Sequence, residues 1–207
     1  MQITFIGAGR VATHLAKALM AQHQIVQVFS RNLDHARTLA NQVNAQAINQ
    51  SEQLNQQTDW VIVAVSDQSI PAVIQSIATY LPNSLIVHTS GSTSLDTLGQ
   101  IHPRVGVFYP LQTFTKGKPL NFKVIPMCLE TLVPEDYAIL EKAQNVYVLP
   151  ATFDWNDLGT WGSLHEKLDK DGQNNAVVNA TVILENASNN IIRAEGKKLV
   201  IVDGLDD

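Results

Sequence analysis

Residues 2–20 read QITFIGAGRVATHLAKALM, a strand, a glycine turn and a helix in immediate succession. Ile3–Ile6 is a nearly continuous apolar run of the kind that sits in a parallel sheet covered on both faces. Gly7-Ala8-Gly9-Arg10-Val11-Ala12 follows with the G-x-G-x-x-A spacing. Val11, Leu15, Ala18 and Gln22 then recur with a helical period, and Leu19 widens the apolar face. In this context the first glycine permits a tight turn and the second lets backbone approach a pyrophosphate. Ala12 permits close packing of helix on strand, and the free N–H groups at the helix start favour an anion. Gly7, Gly9, Arg10, Val11 and Ala12 are therefore candidate dinucleotide-binding residues.

Working outward, Ile25–Phe29, Trp60–Val65, Ser84–His88 and Val105–Phe108 read as further strands. Helical patterns lie between them. Ser69-Ile70-Pro71 predicts an N-cap and an early-turn proline, opening a helix through Ile77. The Gln- and Asn-rich stretch 41–57 still carries helical spacing. Such alternation predicts an α/β fold, a Rossmann-like doubly wound, mostly parallel sheet. The second strand ends in Ser30-Arg31-Asn32, where an NAD site usually places an acid for the ribose 2′-hydroxyl. A hydroxyl and a guanidinium suit a 2′-phosphate instead, so NADP is the expected cofactor. An ordinary solvated surface residue is the alternative for Arg31, and Asp34 fits the first turn of the next helix. His88 and Ser90 follow a strand end, where open α/β sheets place ligands, and are the candidate catalytic pair. A strand-terminal histidine bonded to backbone, and simple turn chemistry at Ser90-Gly91, are the alternatives.

The 207 residues are 45% hydrophobic and 16% charged, with a net charge of -5, a globular composition without a basic footprint for nucleic acid. A single cysteine, Cys128, has no internal disulfide partner, which fits a reducing compartment. No secretory leader or membrane span is evident, so a cytoplasmic protein is expected. Residues 1–130 hold eight Lys/Arg against six Asp/Glu, and residues 131–207 hold six against thirteen. The periodicity changes at the same place, predicting one domain over 1–130 and another segment over 131–207. There Pro134-Glu135-Asp136 opens a helix ending near Lys142, and Asn145–Leu149 is a strand. Turn signals at Asp171-Gly172, Asn186 to Asn190, Glu195-Gly196 and Asp203-Gly204 separate short strands. These predict a small α+β segment, a β meander or a partial β-helix, with no internal repeat evident.

IGAGRVATHLAKAL, VFSRN, VIVAVSDQSI, VHTSGSTSLDTL and VGVFYPLQTF together resemble a family of NADP oxidoreductases of uncharacterised substrate, related to pyrroline-5-carboxylate reductases. The resemblance runs to about Glu130. It implies a cofactor cleft including Val65, Ser66, Ser90 and Gly91, with a reacting carbonyl or imine near His88, Thr89, Ser90 and Gly91. It also implies a following helical domain that closes the substrate cleft, and no long amphipathic helix series follows residue 130.

From about Tyr137 the chain resembles a different family. YAILEKAQNVYVLPATFDWNDLGTWGSLHE and VILENASNNIIRAEGKKLVIVDGLDD are similar to the C-terminal part of mannose-1-phosphate guanylyltransferase. That resemblance implies a Mg²⁺-holding role for Asp157 within Trp155, Asp157, Gly159 and Trp161, and a β-helix-like tail. Nothing matches that family's glycine-rich nucleotide loop or its first metal aspartate, so Asp157 could instead cap a helix near Thr160. Trp155 and Trp161 are expected in the core. Three readings follow: an NADP-dependent oxidoreductase relative acting on an unknown small molecule, a sugar-nucleotide transferase fragment, and a non-catalytic chimera of two truncated modules.

Overall fold

The computed structural model describes residues 1–115, 117–118, 120–141 and 161–205. The chain divides into two compact units, Met1–Asp154 and Trp155–Asp207. In the first, seven strands form one sheet: β1 (Gln2–Ile6), β2 (Gln24–Phe29), β3 (Gln46–Ile48), β4 (Trp60–Val63), β5 (Leu85–His88), β6 (Val105–Pro110) and β7 (Met127–Thr131). Their order is β3-β2-β1-β4-β5-β6-β7, all pairs parallel except the last. Every residue of β4 and β5 is buried, which is why these runs show no alternation.

Helices α1 (Arg10–Leu19), α2 (Leu33–Val43) and α5 (Pro134–Leu140) cover one face, placing Ala12, Leu15, Ala36, Leu39 and Leu140 in one core with Ile3 and Phe5. On the opposite face α3 (Ile70–Ile77) and α4 (Leu95–Gly99) bury Ile70, Ile74, Leu95 and Leu98. The expected doubly wound sheet is present. Trp60, fully buried, meets Phe108 edge to face at 4.8 Å between ring centroids.

Four local expectations change. Ser69 stands at the N-cap position of α3, but its Oγ lies 2.8 Å from Ser66 Oγ and makes no cap bond. Within 41–57 the α-helix stops at Val43, where Asn44 adopts φ 52° and the chain turns into the short edge strand β3, and a single 3-10 turn follows at Ser51–Gln53. Strand β7, absent from the sequence reading, is short and half-buried, so its apolar signal is weak. Finally, the first unit continues beyond residue 130. Leu140 is fully buried in its core, and Arg104 pairs with Asp136, whose side chain is only 3% exposed. Net charge changes sign where exposed acids begin, not where packing ends. The predicted end of this helix at Lys142 and the strand Asn145–Leu149 lie outside the described residues.

The second unit contains α6 (Trp161–Lys167) and two parallel strands, β8 (Ala176–Glu185) and β9 (Ile191–Asp203). The pairing is parallel although only a few residues separate the strands, which excludes a meander. Ala176 pairs with Ile191, and after a register shift Glu185 pairs with Asp203. The chain therefore winds through successive coils, a partial β-helix. Left-handed corners recur at Asn174 and Asn189, at φ 64° and 62°, and at Asn186 and Gly204. Asn190 donates from Nδ2 to Asn175 Oδ1 at 3.0 Å, a buried asparagine ladder. Asn175 donates to the Ala187 carbonyl as Asn190 does to that of Leu205. These coils expose a repeat that the sequence reading missed: NNAVV and VILENA in the first coil, NNIIR and VIVDGL in the second. A register shift between the two halves varies the spacing and hides the period. Trp161, expected in the core, opens α6 and is 74% exposed.

Candidate functional site

Strand order reverses at β1, which lies between β2 and β4, so the loops after β1 and β4 meet at the carboxyl edge of the sheet. This is the topological switch point at which open α/β sheets bind ligands. Gly7 adopts φ +108°, and its N–H donates to the Phe29 carbonyl at 2.8 Å. A Cβ there would stand 2.3 Å from the Ala64 carbonyl oxygen, so only glycine lets the two loops approach.

Gly9 differs. It is the N-cap of α1, in extended conformation, and a Cβ on it would meet nothing within 4 Å. That space lies over the helix start, whose first turn holds no acid and whose N-cap makes no side-chain bond. The amide groups there are left to an external acceptor. Arg10, exposed in the same turn, opposes the helix dipole unless an anion sits between them. Ala12 is fully buried against the sheet, as its place in the motif requires, and Val11 is half-buried. The cradle thus fits a pyrophosphate in both shape and charge.

Ser30 follows β2, its N–H donating to the Ile48 carbonyl, and Arg31 is exposed beside it. Asn32 caps α2, accepting from the N–H groups of Asp34 and His35. Asp34 pairs with Arg37 in the first turn of α2 and leaves Arg31 as the charged group at the strand end.

Beyond β4 and β5 lies a hydroxyl network. Val65 is half-buried and Ser66 exposed. Ser92 donates to Asp67 Oδ2 at 3.0 Å, and Thr93 donates to Ser90 Oγ at 3.0 Å. Ser90 itself is buried and Gly91 half-buried. His88 is fully buried at the end of β5. Its Nδ1 accepts the Ser90 N–H at 3.2 Å, so the neutral ring carries its proton on Nε2, which has no partner among the described residues. Burial holds the imidazole pKa down at about 4, against the opposing pull of Asp67. At neutral pH this ring is uncharged, and its visible contact is with the Ser90 backbone. Sequence reasoning missed Asp67, Ser92 and Thr93. Hydroxyls and a carboxylate placed after two strands that the sheet makes neighbours were the available signal.

Among the described residues no cluster of three His, Cys, Asp or Glu could hold a metal. Asp157, with Trp155 and Gly159, lies outside the described residues. No helix among the described residues is long and apolar enough to cross a membrane.

Residues 2–91 match the family model described as NADP oxidoreductase, coenzyme F420-dependent. A Bacteroides fragilis protein described as an NADP oxidoreductase is 37% identical, with a TM-score of 0.67 over 72% of this chain and 60% of its own. The first unit has a Rossmann-type fold, and residues 2–91 are similar to the NADP oxidoreductase family. The chain is also similar, over 72 residues, to the alginate biosynthesis protein AlgA of Pseudomonas syringae pv. tomato, at 42% identity. The same length of match, at 40% identity, is found with mannose-1-phosphate guanylyltransferase of Salmonella montevideo. These matches cover 35% of this chain but only 14% and 15% of the two relatives. The chain thus spans three-fifths of the Bacteroides structure and about one-seventh of these curated relatives.

Proposed function

We propose that the first unit binds NADP(H) at the β1/β4 switch point and serves an oxidoreductase reaction on a small carbonyl or imine substrate. The observation that carries this is the open space over Gly9 at an acid-free helix start, with Arg31 exposed at the end of β2. Gly9, Arg10, Val11 and Ala12 hold the pyrophosphate. Ser30 and Arg31 hold the 2′-phosphate. Val65, Ser66, Ser90 and Gly91 border the nicotinamide end. When bound, the cofactor supplies hydride chemistry. His88 acts as a positioning residue, fixing the Ser90 backbone, and Ser90 with its hydroxyl neighbours is the group that meets the reacting oxygen or nitrogen. Arg31→Ala should cost about 1.5–3 kcal/mol of NADPH binding, roughly 10- to 150-fold, and change NADH binding by less than about twofold. Fluorescence titration of both cofactors against both proteins checks this. An equal loss for NADH would remove Arg31 from the 2′-phosphate site.

The guanylyltransferase-like segment is proposed to carry no transferase activity, because these 207 residues hold no counterpart of that family's nucleotide loop. Nucleotidyl transfer depends on such positioning and charge neutralisation. The expected outcome with GTP, mannose 1-phosphate and Mg²⁺ is no GDP-mannose above a protein-free control. Protein-dependent formation would overturn it.

A further inference from the structure

From the cofactor loop a cleft of about 1180 Å³ runs along the outer side of α1, between α2 and residues 117–118 and 120–123. It exceeds the roughly 300–1000 Å³ common for small-molecule sites. Among the described residues four fixed cations line it, Arg10, Lys17, Lys118 and Lys123, together with His14 and His35, and no carboxylate does. On a chain of net charge -5 this is a marked local segregation. The nearby Asp34 is engaged by Arg37 at 3.2 Å. Arg10, His14 and Lys17 lie four and three residues apart on one helical stripe, so the fixed charges of Arg10 and Lys17 span about 10 Å along the helix. The facing wall is anchored: His14 Nε2 lies 3.2 Å from the Thr115 carbonyl, and Phe114 stacks at an angle between His14 and Phe122.

We propose that the far end of this cleft, around Lys17 and Lys123, is a second anion site beyond the dinucleotide cradle, for an extended and multiply charged phosphate compound. Arg10 borders both. Lys17 and Lys123 belong to the cleft alone. Lysine ammonium groups on opposite walls neutralise successive phosphates without the planar fork a single carboxylate prefers. The proposal does not depend on the identity of the cofactor.

The test is calorimetric titration of the full chain with inorganic tripolyphosphate at low salt. Saturable binding is expected, weakening as salt rises. The Lys17→Glu/Lys123→Glu double variant should weaken it by about tenfold or more. Both side chains are exposed, and circular dichroism verifies that the variant folds. Gly9→Val, which fills the cradle, should change it by less than about threefold. Absence of binding, or parent-like binding by the double variant, would overturn the proposal. So would a loss in Gly9→Val as large as in the double variant, because the anion would then occupy the cofactor loop.

Discussion

Gly9→Val should weaken NADPH binding by about a hundredfold or more and leave stability within about 0.5 kcal/mol of the parent. The two halves of this expectation come from the same geometry. A side chain on Gly9 meets no protein atom within 4 Å, so the folded chain accepts it. The space it fills is the approach to the amide groups of α1, where the pyrophosphate is placed. Gly7 provides the contrast. Gly7→Ala drives a Cβ to 2.3 Å from the Ala64 oxygen at φ +108°, and should cost about 2–4 kcal/mol of stability whether or not cofactor is present. Urea denaturation and cofactor titration of both variants separate the roles. If Gly9→Val unfolds the first unit, or binds NADPH as the parent does, the cradle is misplaced.

The second large effect is on pH. His88 has a pKa near 4 in the fold and about 6.5 when unfolded. Between these values the unfolded chain takes up a proton that the folded chain refuses, so stability falls as pH is lowered through this window. The contribution is complete above about pH 6.5 and lost towards pH 4, and amounts to about 3 kcal/mol at most. His88→Asn keeps an acceptor for the Ser90 N–H and removes the titration. Urea midpoints measured from pH 7 to pH 4 should therefore fall less steeply in the variant. Parallel profiles would show that His88 is not the responsible group.

The proposed cofactor half of the site was legible because its geometry is local. The glycine loop, the buried Ala12 and the Ser30-Arg31 pair each follow directly from a strand end, and the sheet only had to bring β1, β2 and β4 together. The substrate edge was less legible because it is made by neighbours in space. Asp67 and Ser92 are 25 residues apart and meet only because β4 and β5 are adjacent. His88 reads from sequence as either a strand-end catalytic group or a histidine bonded to backbone, and the fold buries it completely with its Nδ1 on the Ser90 N–H. The β-helix repeat was obscured by the register shift between Val178 and Ala180. β7 and α5 were separated from the domain they complete because exposed acids such as Glu135 changed the composition without changing the core.

The most direct measurement is a pair of equilibrium titrations, NADPH and NADH, against the same preparation of the full chain. Ser30 and Arg31 in place of an acid at the end of β2 predict saturable NADPH binding, tighter than NADH by about 10- to 100-fold. Equal affinities, or no saturable binding of NADPH, would contradict the account.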